Sequence, residues 1–276
     1  MRLVPPSYVK GSVKRGKNDA IDAAAICEAV SRPSMTFVSV KSAEQQAALV
    51  PHRIREGLVR QRTRFINMLR SQMAEFGVVA AKGRGKLGEL VAVLNDTEDR
   101  RIPALARTSL LQLVEMIEAL GPAIAKSEAA MHESVKSNPV ARALTTIPGI
   151  GPITASALAA TLGDPRQFRN ARHFAAWLGL VAKQNSSGGK PRLGRISKMG
   201  DRYLRKLLVL GATSTLRRAR TEQTPLAAWV RRLLERRPPR LVTVALANKM
   251  ARIAWAVMTY GEVYRPEAAA APAPAA

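Results

Sequence analysis

Asp19 and Asp22 stand three residues apart in Lys17-Asn-Asp-Ala-Ile-Asp-Ala-Ala-Ala-Ile26. On a helix that spacing puts both carboxylates on one face. Oxygens so placed can help hold a hard divalent cation of the Mg2+ type. Acidic residues also favour the first turn of any helix through its dipole, so the spacing leaves both readings open. A second chemistry is written into Leu144-Thr-Thr-Ile-Pro-Gly-Ile-Gly-Pro152, where an apolar helix end meets two glycines and a small-residue helix follows. Gly149 and Gly151 permit a tight turn and a close backbone approach. The unpaired N–H groups that open the next helix then form an anion site. This is the grammar of a helix-hairpin-helix, whose natural anion is a nucleic-acid phosphate held without base readout. An ordinary tight turn between packed helices is the alternative.

A third stretch, from Val181 to Gly200, is polar, Gly-rich and basic. Between 183 and 206 it sets Lys183, Lys190, Arg192, Arg195, Lys198, Arg202, Arg205 and Lys206 against Asp201 alone. About twenty residues without an apolar face of their own are either functional or disordered, and the charge favours function. Lys190, Arg192, Arg195 and Lys198 are the cations expected to meet a polyanion.

Helices must position these residues. Asn18 is a suitable N-cap for the Ala-rich run behind it, and Met35 to Val40 reads as a short strand after Pro33. From Ser42 to about Phe76 the pattern is helical, with Pro51 a point for a kink and a stripe of arginines beside the apolar positions. Gly77 to Gly88 breaks the pattern before a shorter helix at 87–94. A second long helical stretch runs from Pro103 to about Ser137, with Glu115, Glu118, Glu128 and Glu133 making it less basic than its neighbours. The two long stretches read as an antiparallel hairpin or coiled coil that spaces and self-associates. Beyond the 147–151 turn, a helix at 168–180 and further helices at 203–216, 225–234 and 242–260 close a second core. Arg217, Arg218, Arg220, Arg231, Arg232, Arg236, Arg237 and Arg240 punctuate them. Residues 266–276 are Ala and Pro repeats without a core, and read as disordered. The fold class is therefore mainly α.

Composition points the same way. The chain has 276 residues, with 44 Lys+Arg against 20 Asp+Glu, a formal net charge of +24 and aromatic content of only 4%. A balance that basic is the footprint of a polyanion partner. There is no run of about 18 apolar residues and no apolar signal region at the N-terminus, which favours a cytoplasmic, non-membrane protein. Cys27 is the lone cysteine, which excludes an internal disulfide and a Cys-rich zinc site. His52, His132 and His173 show no ligand spacing.

The order of these motifs resembles that of insertion-sequence transposases with a RuvC-like N-terminal domain carrying a DEDD carboxylate set. Their C-terminal domain is of the transposase-20 type, and they act as serine recombinases guided by a bridge RNA. The residues that carry the resemblance are Lys17-Asn-Asp-Ala-Ile-Asp-Ala23, Ile147-Pro-Gly-Ile-Gly151, Phe174-Ala-Ala-Trp-Leu-Gly-Leu180, Ser187-Gly188, Ile196-Ser-Lys-Met-Gly200 and Leu204-Arg205. They span the chain to about Tyr264, and the co-linear set is far more specific than any one of its members.

The resemblance implies that Asp19 and Asp22 are the last two carboxylates of the DEDD set, with Mg2+ as their metal. It implies that Ser187 is the nucleophilic serine, with Ser186 an adjacent alternative. A serine hydroxyl needs activation to attack, and a phosphoryl transition state needs cations around its oxygens, which Lys190, Arg192 and Arg195 can supply. It divides the chain into a RuvC-like (RNase H-like) remnant over 1–40, a long-helix spacer over 41–140 and a C-terminal domain over 141–265. The first Asp and the Glu of the set belong on strands upstream of Arg2, so the resemblance makes this chain an N-terminally truncated one with two of four carboxylates. DNA, a guide RNA and further copies of the chain, as a dimer or tetramer, are the partners it implies. A different class is also open: a non-catalytic module that grips DNA or RNA through the hairpin and basic loop.

Overall fold

The computed structural model describes residues 3–13, 18–33, 35, 37–81, 83–190 and 192–266. The expected Ala/Pro tail lies, from Glu267 on, outside the described residues. The chain divides into two compact units, residues 1–46 and 47–276.

In the first unit a short helix α1 (Pro6–Val9) precedes α2 (Asp19–Ser31). Asn18 is extended at the N-cap and its side-chain oxygen accepts the Ile21 N–H at 2.8 Å, as its type and position lead one to expect. Ala25 and Ala29 form the buried stripe of α2. The strand expected over 35–40 reduces, among the described residues, to one antiparallel bridge between Leu3 and Val38. Among the described residues, the short β-prone run has no longer partner on which to build a ladder.

Ser42 and Gln45 then exchange side-chain bonds with each other's backbone N–H at 3.0 and 3.2 Å. This reciprocal cap starts α3 (Ala43–Ala74), which carries Pro51 within one uninterrupted helix. Pro51, where a kink is expected, does not end the helix. Pro51 lies in the third turn, and the apolar residues buried on both sides of it outweigh one lost ladder bond.

In the second unit α3 is followed by α4 (Leu87–Asn95) and α5 (Ala104–Ser137). Ile66, Leu69 and Met73 of α3 share a core with Leu90 and Leu94 of α4 and with Leu110, Leu113, Val114 and Ile117 of α5. Arg107 ties the α4–α5 connection by donating to the carbonyls of Val93, Leu94 and Asp96 at 3.1, 2.7 and 2.7 Å. Further along, Arg55 of α3 meets Glu128 of α5 at 2.7 Å.

The remaining helices are α6 (Pro139–Thr145), α7 (Pro152–Thr161), α8 (Ala171–Trp177), α9 (Arg202–Arg218), α10 (Pro225–Leu234) and α11 (Pro239–Tyr260). Between α8 and α9 lies a two-stranded antiparallel sheet, β1 (Ala182–Gln184) and β2 (Leu193–Ile196). A second core gathers Leu144, Ile147, Leu158, Phe174, Leu178, Leu204, Leu208, Leu246 and Met250, with α11 packed across α6, α8, α9 and α10. The architecture is mainly helical. By length and composition α5 and α11 are apolar enough to cross a membrane, which a search for an unbroken apolar run does not detect. Both contribute buried residues to these cores.

Candidate functional site

The 181–200 stretch is a β-hairpin rather than a structureless loop. Ala182 pairs with Ile196 and Gln184 with Leu193, with an irregularity between the two pairs. At the tip the Lys190 N–H donates to the Ser187 carbonyl at 3.1 Å. Gly188 and Gly189 between them both take positive φ, 57° and 73°. Two consecutive left-handed residues define the turn whose twist matches paired strands, and glycine takes it without strain. Alternation could not reveal these strands, because they are largely exposed along both faces.

Ser186 and Ser187 part company in this hairpin. The Ser186 hydroxyl accepts the Arg192 N–H at 2.9 Å and so belongs to the stem. Ser187 is exposed at the turn, and among the described residues its hydroxyl has no hydrogen-bond partner. Lys190, Arg192, Arg195 and Lys198 are all exposed along the same hairpin and its exit.

The stem is anchored by unusually close backbone packing. Gly179 (φ 71°) and Gly200 (φ 77°) interlock: a Cβ on Gly179 would lie 2.2 Å from the Met199 oxygen, and one on Gly200 would lie 1.8 Å from the Trp177 oxygen. Arg205 of α9 then donates to the carbonyls of Leu178 and Met199 at 2.8 and 2.9 Å. Asp201 caps α9 by accepting the N–H groups of Tyr203 and Leu204. A mobile-looking sequence thus leaves a rigid base and returns to it.

Beside that base, α3, β2, α9 and α11 line an open groove of about 690 Å3. Arg60, Lys198, Arg202, Arg205 and Lys206 face it against the single carboxylate of Glu56. Glu56 is shared weakly between Arg60 at 3.5 Å and Lys206 at 3.6 Å, so the groove keeps a strong positive excess. Its charge suits a polyanion backbone.

The 146–151 turn joins α6 to α7, and its two glycines do different things. Gly149 (φ 88°) is pressed onto α9: a Cβ there would come within 2.9 Å of the Gly211 oxygen and 2.5 Å of Thr215 Oγ1. Its role in the fold is close packing between Ile147 and Ile150, both buried. Gly151 is exposed at the N-cap of α7 with open space around it and no side-chain cap on the helix. The anion-binding expectation therefore rests on the Gly151 end of the turn.

Asp19 and Asp22 occupy the first turn of α2 in the first unit, Asp19 exposed and Asp22 half-buried. Among the described residues, no group of three or more His, Cys, Asp or Glu is gathered as a metal site. Asp19 and Asp22 are two hard oxygen donors in one helical turn, the donor type that Mg2+ takes.

Sequence reading missed a polar junction. His52 of α3 is 2% exposed, with Nδ1 3.0 Å from the Tyr203 hydroxyl of α9 and Nε2 3.0 Å from Ser156 Oγ of α7. Ser156 Oγ also lies 3.2 Å from the Ile153 carbonyl. One consistent proton order follows: Tyr203 O–H donates to Nδ1, Nε2–H to Ser156, and Ser156 O–H to the carbonyl. Desolvation, with the Arg55 charge nearby, pushes the His52 pKa down to about 4, and burial pushes Tyr203 up to about 12. The three side chains are 104 and 151 residues apart, so no local pattern announces them.

Residues 141–226, which hold the turn, the hairpin and most of the groove, match the transposase IS116/IS110/IS902 family. Over 96% of this chain the sequence is 47% identical to a protein of Pseudomonas aeruginosa named as a family 20 transposase, covering 79% of that protein. The chain belongs to this transposase family. It is also 41% identical to the transposase for insertion sequence element IS1328 of Yersinia enterocolitica, over 96% of this chain and 78% of the relative. The transposase for IS1111A of Coxiella burnetii is 38% identical over 96% of this chain and 72% of its own length. For an insertion-sequence transposase, the groove is notable for its excess of cations, five against the one carboxylate of Glu56.

Proposed function

We propose that this transposase recombines DNA through a covalent Ser187 phosphoester. The observation that carries the reading is the hairpin itself: an unpartnered hydroxyl projects from a Gly-Gly turn whose stem is fixed to α9 and flanked by cations. Ser187 Oγ attacks a phosphodiester phosphorus, an O–P bond forms, and the bond to one deoxyribose oxygen breaks. The Ser187 proton passes to solvent or substrate and the released deoxyribose oxygen takes up a proton. Attack by a second deoxyribose hydroxyl on the phosphoserine rejoins DNA and regenerates the serine, so no external energy source is needed. Lys190, Arg192 and Arg195 balance the charge on the phosphoryl oxygens, while the groove at Arg60, Lys198, Arg202 and Lys206 and the α7 N-terminus at Gly151 hold backbone.

Asp19 and Asp22 would hold Mg2+, which supplies charge neutralisation at phosphate oxygens when bound. In this reading residues 1–40 are part of a RuvC-like domain, the 146–151 turn acts as a helix-hairpin-helix, and the protein works in the cytoplasm with a guide RNA. Self-association as a dimer or tetramer would run along α3 and α5, where Met68, Leu105 and Met116 are exposed apolar side chains.

A binding-only reading has one observation in its favour: among the described residues no base is hydrogen-bonded to Ser187. One experiment separates the two. Element ends, target DNA and guide RNA are incubated with the protein or its Ser187→Ala variant, and both recombinant product and a protein–DNA adduct stable to denaturant are scored. The serine reading expects both to vanish in the variant with DNA affinity kept. Recombination that survives the substitution removes Ser187 from the mechanism.

A further inference from the structure

Eight arginines fall between 217 and 240, against only Glu222 and Glu235. They sit at the C-terminal ends of α9 and α10, in the turns that follow those helices and at the start of α11. Arg231 draws these ends together, donating to the carbonyls of Ala219 at 2.7 Å and Glu222 at 2.6 Å. Arg218 pairs loosely with Glu222 at 3.6 Å. The other six, Arg217, Arg220, Arg232, Arg236, Arg237 and Arg240, are exposed, and among the described residues their side chains have no ion pair or hydrogen bond.

A helix C-terminus favours cations, which accounts for Arg217 and Arg232. It does not account for Arg240, which sits in the first turn of α11 where the dipole opposes positive charge. Six like charges held in one region repel one another, a burden that a polyanion would relieve. None of the six lines the groove: Arg217 and Arg220 stand at the end of α9 opposite the hairpin, and Arg240 lies one turn before Val244, where the groove ends on α11. The 17 residues of α9 put its hairpin end and its Arg217 end about 25 Å apart. That span is about seven base pairs of duplex, at roughly 3.4 Å per step.

We infer that the arginine cluster binds the phosphate backbone of double-stranded DNA, on the same duplex that the Ser187 hairpin engages, further along it toward the Arg217 end of α9. The inference rests on the proposed serine reaction for the choice of duplex. DNA entering the hairpin continues as duplex beyond it, and a straight rod of phosphates reaches both ends of a straight helix. Arginine suits this task because its planar fork grips a phosphate in two places.

The test measures binding of a fluorescent duplex of about 30 base pairs to the full chain, by anisotropy, across roughly 50 to 200 mM salt. In Arg232→Gln/Arg236→Gln/Arg237→Gln the slope of log affinity against log salt should fall by roughly 0.9 for each phosphate that is no longer neutralised. Affinity at the lower salt should drop on the order of tenfold or more. The corresponding triple Lys variant, which keeps the charge, should retain most of the slope, and an unchanged melting temperature in both confirms folding. An unchanged slope and affinity for the duplex in the Gln variant overturns the inference, as does a loss confined to a folded RNA hairpin. Failure of the serine reading is seen separately, as recombination by Ser187→Ala, and leaves the binding measurement standing.

Discussion

His52 Nδ1 and the Tyr203 hydroxyl lie 3.0 Å apart, joining the long spacer helix to the helix that leaves the serine hairpin. With Ser156 on the other ring nitrogen, the neutral imidazole has a partner at both nitrogens, and burial disfavours its charged form. Its folded pKa of about 4 lies below its ordinary value of 6.5. The unfolded chain therefore takes up a proton that the folded chain refuses. This contribution to stability is fully present above pH 6.5 and is lost as the pH falls from 6.5 towards 4, by on the order of 3 kcal/mol at most. Thermal melts from pH 7 to 4 should show a decline that is much smaller in His52→Gln. Tyr203→Phe should cost about 1–3 kcal/mol by leaving the buried Nδ1 without a donor. A pH profile identical in wild type and His52→Gln would refute this account.

The two glycines of the 146–151 turn make a paired test of what that turn is for. Gly149 combines φ of 88° with backbone and side-chain atoms inside 3.0 Å of any added Cβ, whereas Gly151 has open space. Gly149→Ala should cost about 3 kcal/mol or more from clash and left-handed strain together. In a unit of this size that lowers the melting temperature by roughly 6–12 °C. Gly151→Ala should cost less than about 1 kcal/mol, so any drop in DNA binding it causes is readable without a folding defect. Equal melting temperatures for the two variants would mean that Gly149 does not pack as described.

Much of this architecture was legible in the sequence because long apolar periodicity and caps are local signals. Asn18, the extents of α3 and α5, and α10 at Pro225–Leu234 all fall where their sequences place them. Composition carried the basic character of the site, and the turn glycines announced a close approach without saying onto what. Three features were not local. The hairpin strands expose nearly every side chain and so lack a period of two. The packing of Gly149 on Gly211 and the Ser156–His52–Tyr203 junction depend on how distant helices stack. Ser186 and Ser187 are chemically alike in sequence and become distinct only when the stem claims one hydroxyl.

Arg205 connects the fold to the proposed chemistry most directly, because its Nη1 is shared between the Leu178 and Met199 carbonyls at the foot of the hairpin. Removing it leaves two carbonyls without their charged donor, while the core beneath, with Leu204 and Leu208 fully buried, stays intact. Arg205→Ala should therefore cost about 2 kcal/mol in stability and loosen the path from Gly179 to Gly200. Arg205→Lys restores charge but not a planar fork, and should recover salt-dependent DNA binding better than it recovers recombination. Protease nicking between 183 and 198 should rise in Arg205→Ala before the helices unfold. A rise in nicking with full recombination would show that the rigid stem is not needed for the reaction; a loss of recombination with DNA affinity retained would place Arg205 as a positioning residue for Ser187.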